Sequence, residues 1–259
     1  MRYWFVLLVA LVASAAEKEW TKQWPVTGKP DLRVEVDDGR VIITGGIARQ
    51  IEARVYATGW EIGPDGVRIT EHQTGDRVEL EVRVPRTSNW FHTGNRSLRV
   101  ELRVPREIVA SIRTGDGSIT ADGLAGAVRL KTGDGRIEAN GMDGSLTAET
   151  GDGSIRIKGR LDVMNIRTGD GSIEADLSSG SKMASAWDVQ TGDGHVTLRL
   201  PEGFAADLDV HTNDGHVDVG LPVTMQGAIR DREVRGKLNG GGPSLRVRTG
   251  DGGIRLARL

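Results

Sequence analysis

The chain has 259 residues, 36 of them glycine, about twice the ordinary share of ~7%. Aromatics make up 4%, cysteine is absent, 37% of residues are hydrophobic and the formal charge is −2. That is enough apolar material for a core; the lack of a Gly-X-Y period excludes collagen, glycines set between apolar pairs exclude a flexible linker, and near-neutral charge argues against a nucleic-acid partner.

Met1-Arg2 is a short basic start, Tyr3 to Val12 is an unbroken apolar run, and Ser14-Ala15-Ala16 supplies small residues for a signal peptidase. Residues 1–16 are therefore expected to be a cleaved secretory signal, with the mature chain beginning near Glu17. The apolar run is shorter than the ~20 residues of a membrane span. No other stretch approaches that length, so no transmembrane segment is expected in the mature chain. Without cysteine, an exported chain must rely on packing and strand ladders.

Residues 17–30 form an N-terminal segment, and 31–106 read as irregular β structure. Leu32–Val36, Arg40–Ile43, Val78–Val82 and Leu98–Val104 each alternate apolar and polar residues. Trp20, Trp24, Tyr56, Trp60, Trp90 and Phe91 lie in this half. A stack of repeats needs closed ends, and this region is expected to cap one. The tryptophans could also stack on sugars, but filling the cap is the plainer use.

Residues 107–259 repeat. Thr-Gly-Asp-Gly recurs at Thr114, Thr132, Thr150, Thr168, Thr191 and Thr249, and Thr212-Asn213-Asp214-Gly215 is an altered copy. The first three steps are 18 residues each, and the later ones carry insertions. Two residues before the Thr stand Ile112, Leu130, Ala148, Ile166, Val189, Val210 and Val247; five after it stand Ile119, Ile137, Ile155, Ile173, Val196, Val217 and Ile254. Apolar positions two and four before the Thr and five and seven after it give period-two alternation on both sides of a turn, hence two short strands per copy.

Stacking such copies at the ~4.8 Å strand spacing pairs like with like and buries one continuous core. The Thr shares the parity of the apolar columns and is expected to point inward beside the turn. The Gly-Asp-Gly turn is expected to use positive φ and an Asp bonding its own backbone. Asp-Gly between alternating strands is also a hairpin signal. An antiparallel meander would leave an apolar face uncovered, however, and no helical pattern is present to cover it. The fold expected is all-β: a single-stranded β-solenoid of about 18-residue coils with a less regular β cap at its N-terminal end. The last strand, Ile254 to Leu256, is expected to leave an open edge available for self-association through terminal coils.

Chemical motifs are weak by comparison. Gly115-x-Gly117 begins a dinucleotide-like string, but a strand follows it rather than a helix N-terminus. The column Asp116, Asp134, Asp152, Asp170, Asp193, Asp214, Asp251 invites calcium, yet the nonapeptide of calcium-binding β-rolls is absent. Solvated turn carboxylates are the plainer reading. Carboxylates ~5 Å apart suit retaining glycosidases, but a uniform ladder does not separate an acid from a nucleophile. His195 and His216 share one column in what the sequence presents as adjacent coils, with His211 across the turn; an exposed pair without ligand is the plainer reading and a transition-metal site the alternative. Arg113, Lys131, Arg167 and Arg248 form a stripe broken by Glu149, which reads as a solvated face.

The arrangement resembles the bacterial putative-adhesin family of exported β-strand-repeat proteins, a family defined by sequence and of unknown function. The resemblance rests on an early strand-turn copy (Val36-Asp-Asp-Gly-Arg-Val41), a strand ending in Val-Pro (Leu102 to Arg106) and Asn239 to Pro243 before the last copy. It runs from about Asp31 to the end and implies a β-solenoid with a role in surface contact. The function expected is that of an exported, non-enzymatic adhesion or scaffold protein of the cell surface or envelope. Its expected partners are envelope or surface components or glycans, with no cofactor, no catalytic residue, no metal and no assigned binding residues. A carbohydrate-binding or carbohydrate-active β-helix is the alternative.

Overall fold

The structure, a computed structural model, describes residues 17–46, 49–85, 96–225 and 231–259. The signal read over 1–16, and Trp90 and Phe91, lie outside those residues. Every regular element among the described residues is a strand. The first seven are β1 (Glu17–Pro25), β2 (Asp31–Val36), β3 (Arg40–Gly46), β4 (Gln50–Thr58), β5 (Arg68–Thr74), β6 (Arg77–Arg83) and β7 (Ser97–Pro105). The repeats supply β8 (Glu107–Thr114), β9 (Ile119–Asp122), β10 (Ala125–Lys131), β11 (Ile137–Glu149), β12 (Ile155–Arg167), β13 (Ile173–Leu177), β14 (Trp187–Gln190) and β15 (Val196–Leu200). The rest are β16 (Ala206–Thr212), β17 (Val217–Val219), β18 (Val223–Met225), β19 (Glu233–Leu238), β20 (Ser244–Thr249) and β21 (Ile254–Arg258).

The repeats pair in parallel, as a solenoid requires and a meander forbids. Before the turn, Ile112 pairs with Leu130, Leu130 with Ala148, Ala148 with Ile166 and Ile166 with Val189. After it, Ile119 pairs with Ile137, Ile137 with Ile155, Ile155 with Ile173 and Ile173 with Val196. Each coil is therefore one strand on each of two parallel ladders, joined by the Thr-Gly-Asp-Gly turn. Period-two alternation sends every second side chain into the space between the ladders, where one cluster of Val, Ile, Leu and Ala forms the core. Each Ile or Leu so buried contributes roughly 1.5–3 kcal/mol.

The coils do not stack in chain order. β20 lies between β14 and β16, with Val247 pairing Val189 on one side and Val210 on the other. β21 likewise lies between β15 and β17. The expected open C-terminal edge is therefore wrong: the last strand is interior. The reason is β19, which pairs antiparallel with β16 and occupies its outer side, so the final coil enters on the inner side. The opposite end is built the same way. β2 lies between β6 and β8, and β3 lies between β7 and β9. Antiparallel strands finish this end, β5 against β6 on one ladder and β4 then β1 beyond β7 on the other.

The turn glycines also correct an expectation. None of Gly115, Gly117, Gly133, Gly135, Gly151, Gly153, Gly169 and Gly171 has positive φ. Space is what demands glycine there: a Cβ on Gly169 would lie 2.6 Å from the carbonyl oxygen of Gly151, and one on Gly135 would fall inside hard contact with that of Gly117. Successive turns lie flat on one another, with the Gly151 N–H donating to Gly133 O and the Gly169 N–H to Gly151 O. Left-handed backbone is used instead at the opposite reversal, at Gly123 (φ 69°) and Gly141 (φ 60°).

Candidate functional site

The threonine column positions the turn edge. All seven repeat threonines are buried, and each hydroxyl lies within bonding distance of two carbonyls on the neighbouring coil, both of them glycine except at Thr114, which reaches Asp37 O and Gly39 O. Thr132 donates to Gly115 O or Gly117 O at 2.8 and 2.7 Å, Thr150 to Gly133 O or Gly135 O at 3.1 and 2.9 Å, and Thr168 to Gly151 O or Gly153 O at 3.0 and 2.8 Å. Thr249 reaches Gly192 and Gly194, and Thr212 reaches Gly250 and Gly252, which restates the inserted coil in hydrogen bonds. Gly115 O, Gly133 O and Gly151 O also accept from the next turn's glycine N–H, so the hydroxyls matter most as partners of the Gly117, Gly135 and Gly153 carbonyls.

With the backbone held this way, the aspartates between the glycines point out. In stack order they are Asp116, Asp134, Asp152, Asp170, Asp193, Asp251 and Asp214, and all are exposed. Asp38 precedes them in the same column, because Val36 pairs with Thr114. Its Oδ1 accepts from the Asp116 N–H at 3.2 Å. Among the described residues Asp214 is paired, with Arg232 at 3.2 Å, while Asp116, Asp134, Asp152, Asp170, Asp193 and Asp251 make no ion pair. No aspartate of the column bonds its own backbone as a turn-former would, which corrects that expectation. The result is a row of solvated carboxylates repeating at the ~4.8 Å strand spacing.

The flanking charges are compensated. Lys131 pairs with Glu149 at 2.8 Å, and that ammonium holds the Glu149 carboxyl below its ordinary value. Arg167 lies 3.7 Å from Asp188 and Arg248 lies 2.5 Å from Asp209. On the other ladder Arg156 and Arg199 share Glu174 at 3.1 and 2.6 Å, and Arg199 also reaches Asp176 at 2.6 Å. Glu174 is lowered by its hydrogen bond from Arg199 first and from Arg156 second. Such exposed pairs contribute about 0–1 kcal/mol each. They offset much of the charge on the two faces, whereas six of the aspartates on the edge carry no ion pair among the described residues.

The histidine pair does not form. Gly253 comes between His195 and His216: its carbonyl accepts from the Val196 N–H, and the His216 carbonyl accepts from the Ile254 N–H. His211 bonds Asn213 at 3.1 Å instead. No three His, Asp or Glu side chains among the described residues converge on one point.

The tryptophans close the N-terminal end. Trp24 is buried, lies 6.3 Å from Trp20, and donates its indole N–H to Glu71 at 3.1 Å. Trp20 and Trp60 pack half-buried on the core. A 440 Å³ recess beside Asp37, Arg83, Arg113 and Lys131 is braced from within. Arg83 on β6 binds Glu35 on β2 at 3.3 Å and Asp37 just beyond it at 2.7 Å, so its wall is a cross-brace between β2 and β6.

Comparison with known proteins adds a family model described as Toastrack DUF4097, which matches residues 71–257. No curated protein matches the chain. Solved structures similar to it include a protein of Clostridium sporogenes named a putative cell adhesion protein, 16% identical over 94% of this chain and 100% of that one, with a TM-score of 0.44. A putative adhesin of Bacteroides fragilis is 10% identical over 93% and 98% of the two chains, TM-score 0.42. A protein of Parabacteroides distasonis named a putative lipid binding protein is 12% identical over 93% and 97%, TM-score 0.43. No helix among the described residues is long and apolar enough to cross a membrane.

Proposed function

The chain belongs to the Toastrack DUF4097 family, and from that premise we propose that it is an exported, non-enzymatic β-solenoid that works by contact, as an adhesion or scaffold component of the cell envelope or surface. The observation that carries this reading is the aspartate edge. Asp116, Asp134, Asp152, Asp170, Asp193 and Asp251 are exposed carboxylates on the same Gly-Asp-Gly turn, so none of the six is singled out as an acid or a nucleophile. A periodic, uncompensated row of one charge on a hydrogen-bonded stack suits repeated weak contacts to a cationic, extended surface. Export is supported by the leader pattern of 1–16, a basic start, an apolar run and small residues before Glu17.

The test is adsorption of the purified chain from Glu17 onward to washed envelopes. Retention should weaken as salt is raised, because charge contacts are screened. It should also fall for the triple variant Asp134→Asn, Asp152→Asn, Asp170→Asn at unchanged melting temperature. No retention on any envelope fraction, or equal retention by the triple variant, would overturn the reading. Saturable binding to a soluble oligosaccharide would favour the carbohydrate-binding alternative.

A further inference from the structure

The inserted C-terminal coil has a consequence independent of what the surface binds. Residues 244–258 sit one coil in from the end of the stack, hydrogen-bonded on both sides. β20 meets β14 and β16, and β21 meets β15 and β17. The coil is tied to the rest of the chain at one side by the five residues Asn239 to Pro243. We propose that the slot between β14–β15 and β16–β17 takes residues 244–258 of a second copy, so that two chains associate by exchanging their C-terminal coils.

Three observations point to this. First, the connector is a short, tightly reversed hinge in the closed form. Asn239 is the one non-glycine residue with positive φ (47°) among those described, and Gly240 and Gly241 follow at 87° and 88°. A short hinge that reverses in the closed form can extend in the exchanged one. Extended, five residues reach about 17 Å, and in the closed form the connector folds back on itself, with the Gly241 N–H bonded to Leu238 O at 3.0 Å.

Second, the slot's walls are matched to each other. Thr191 faces Thr249 and Thr249 faces Thr212, and the apolar columns continue as Val189, Val247, Val210 and as Val196, Ile254, Val217. The walls therefore offer any copy of residues 244–258 the same pairing on both sides.

Third, the recognition is entirely between columns that every copy of the chain carries. A second copy supplies the same fifteen residues with the same Thr-Gly-Asp-Gly turn, and the bonds made in the exchanged form are those of the closed form. Exchange of identical elements is a low-cost route to association for this reason.

The absence of cysteine makes a register-specific test available. Thr197 pairs with Arg255 across β15 and β21, while Glu174 lies one strand further out, paired with Thr197. Neighbouring strands bring Cα atoms within disulfide range and next-nearest ones do not. Chains carrying Thr197→Cys are mixed with chains carrying Arg255→Cys, taken together to the midpoint of urea unfolding, returned to buffer at high concentration and oxidised. Exchange predicts a disulfide-linked heterodimer on a denaturing gel. It predicts a yield about tenfold or more above that of Glu174→Cys mixed with Arg255→Cys, because registered thiols have the higher effective concentration. Chains carrying both Thr197→Cys and Arg255→Cys and oxidised before mixing should stay monomeric by size. Equal yields from the two mixtures, or no heterodimer in either, would overturn the proposal.

Discussion

Replacing Gly153 by alanine separates the two reasons a turn can need glycine. A Cβ on Gly153 would fall inside hard contact with the Gly135 carbonyl oxygen, 2.6 Å from its carbon and 2.8 Å from Asp134 O, although the backbone there has no positive φ. Relief requires the coil to shift by about 1 Å against a spacing of ~4.8 Å. That shift strains the Thr150 bond to Gly135 O (2.9 Å) and the Thr168 bond to Gly153 O (2.8 Å). Overpacking of this kind costs about 1–3 kcal/mol and each hydrogen bond lost about 1 kcal/mol more. A total near 3 kcal/mol corresponds to a fall in Tm of roughly 6–12 °C for a domain of this size. Gly75 is the internal contrast: its φ is 59° and nothing lies within 4 Å of a built Cβ. Gly75→Ala therefore carries conformational cost alone, about 1 kcal/mol and roughly 2–4 °C. Asparagine sharpens the distinction, because it tolerates the left-handed region. Gly75→Asn should recover part of the loss, whereas Gly153→Asn should be no better than Gly153→Ala. Thermal melts followed by circular dichroism on the four variants decide it. A Gly153→Ala protein that melts within 2–3 °C of the parent, or one rescued by asparagine, would refute packing as the reason for these glycines.

Thr150→Val keeps the shape but removes the hydroxyl that reaches Gly133 O and Gly135 O. It should cost about 1–3 kcal/mol in urea unfolding, and a neutral result would mean the buried hydroxyls carry no weight. Trp187 is 1% exposed, lies 5.3 Å from Phe204 and donates to Asp162 O at 3.1 Å. Trp187→Ala should therefore cost about 3–5 kcal/mol, seen as a lower urea midpoint. The acid limb of stability follows from depressed carboxyls. Glu71 is lowered by its bond from Trp24 first and from Lys22 second, Glu149 by Lys131 and Glu174 by Arg199, each from 4.5. A folded-state value below the unfolded one means this stability is fully present above 4.5 and drains away as pH falls through the lower folded values. Melting temperature should therefore be flat, as far as these groups set it, from neutral pH down to about 5 and fall below it. A Tm that rises on acidification through that window would contradict these assignments.

The columns were legible because each is a parity argument repeated seven times. Ile119, Ile137 and Ile155 share an offset from the turn, and parity alone put them inward with Thr114, Thr132 and Thr150. Order along the stack was not legible in the same way. Val210 and Val247 are the same residue in the same column, so pairing like with like fits Val189 against either one. Long-range topology decided it: β19 turns back on β16 and leaves the final coil the inner side. The same degeneracy misplaced His195 against His216. The role of the turn glycines was hidden because left-handed backbone and missing space leave an identical residue in the sequence. Asp38 was missed as the first member of the aspartate column because Asp37 stands where the repeats have glycine, although Asp38-Gly39 keeps their spacing.

The most direct test of the account is where the protein ends up and where it begins. Cells expressing the full chain are fractionated, and the N-terminus of the recovered protein is sequenced. An exported contact protein predicts recovery with the envelope or outside the cell, with Glu17 as the first residue. Recovery of the intact chain from Met1 in the cytosolic fraction would contradict it.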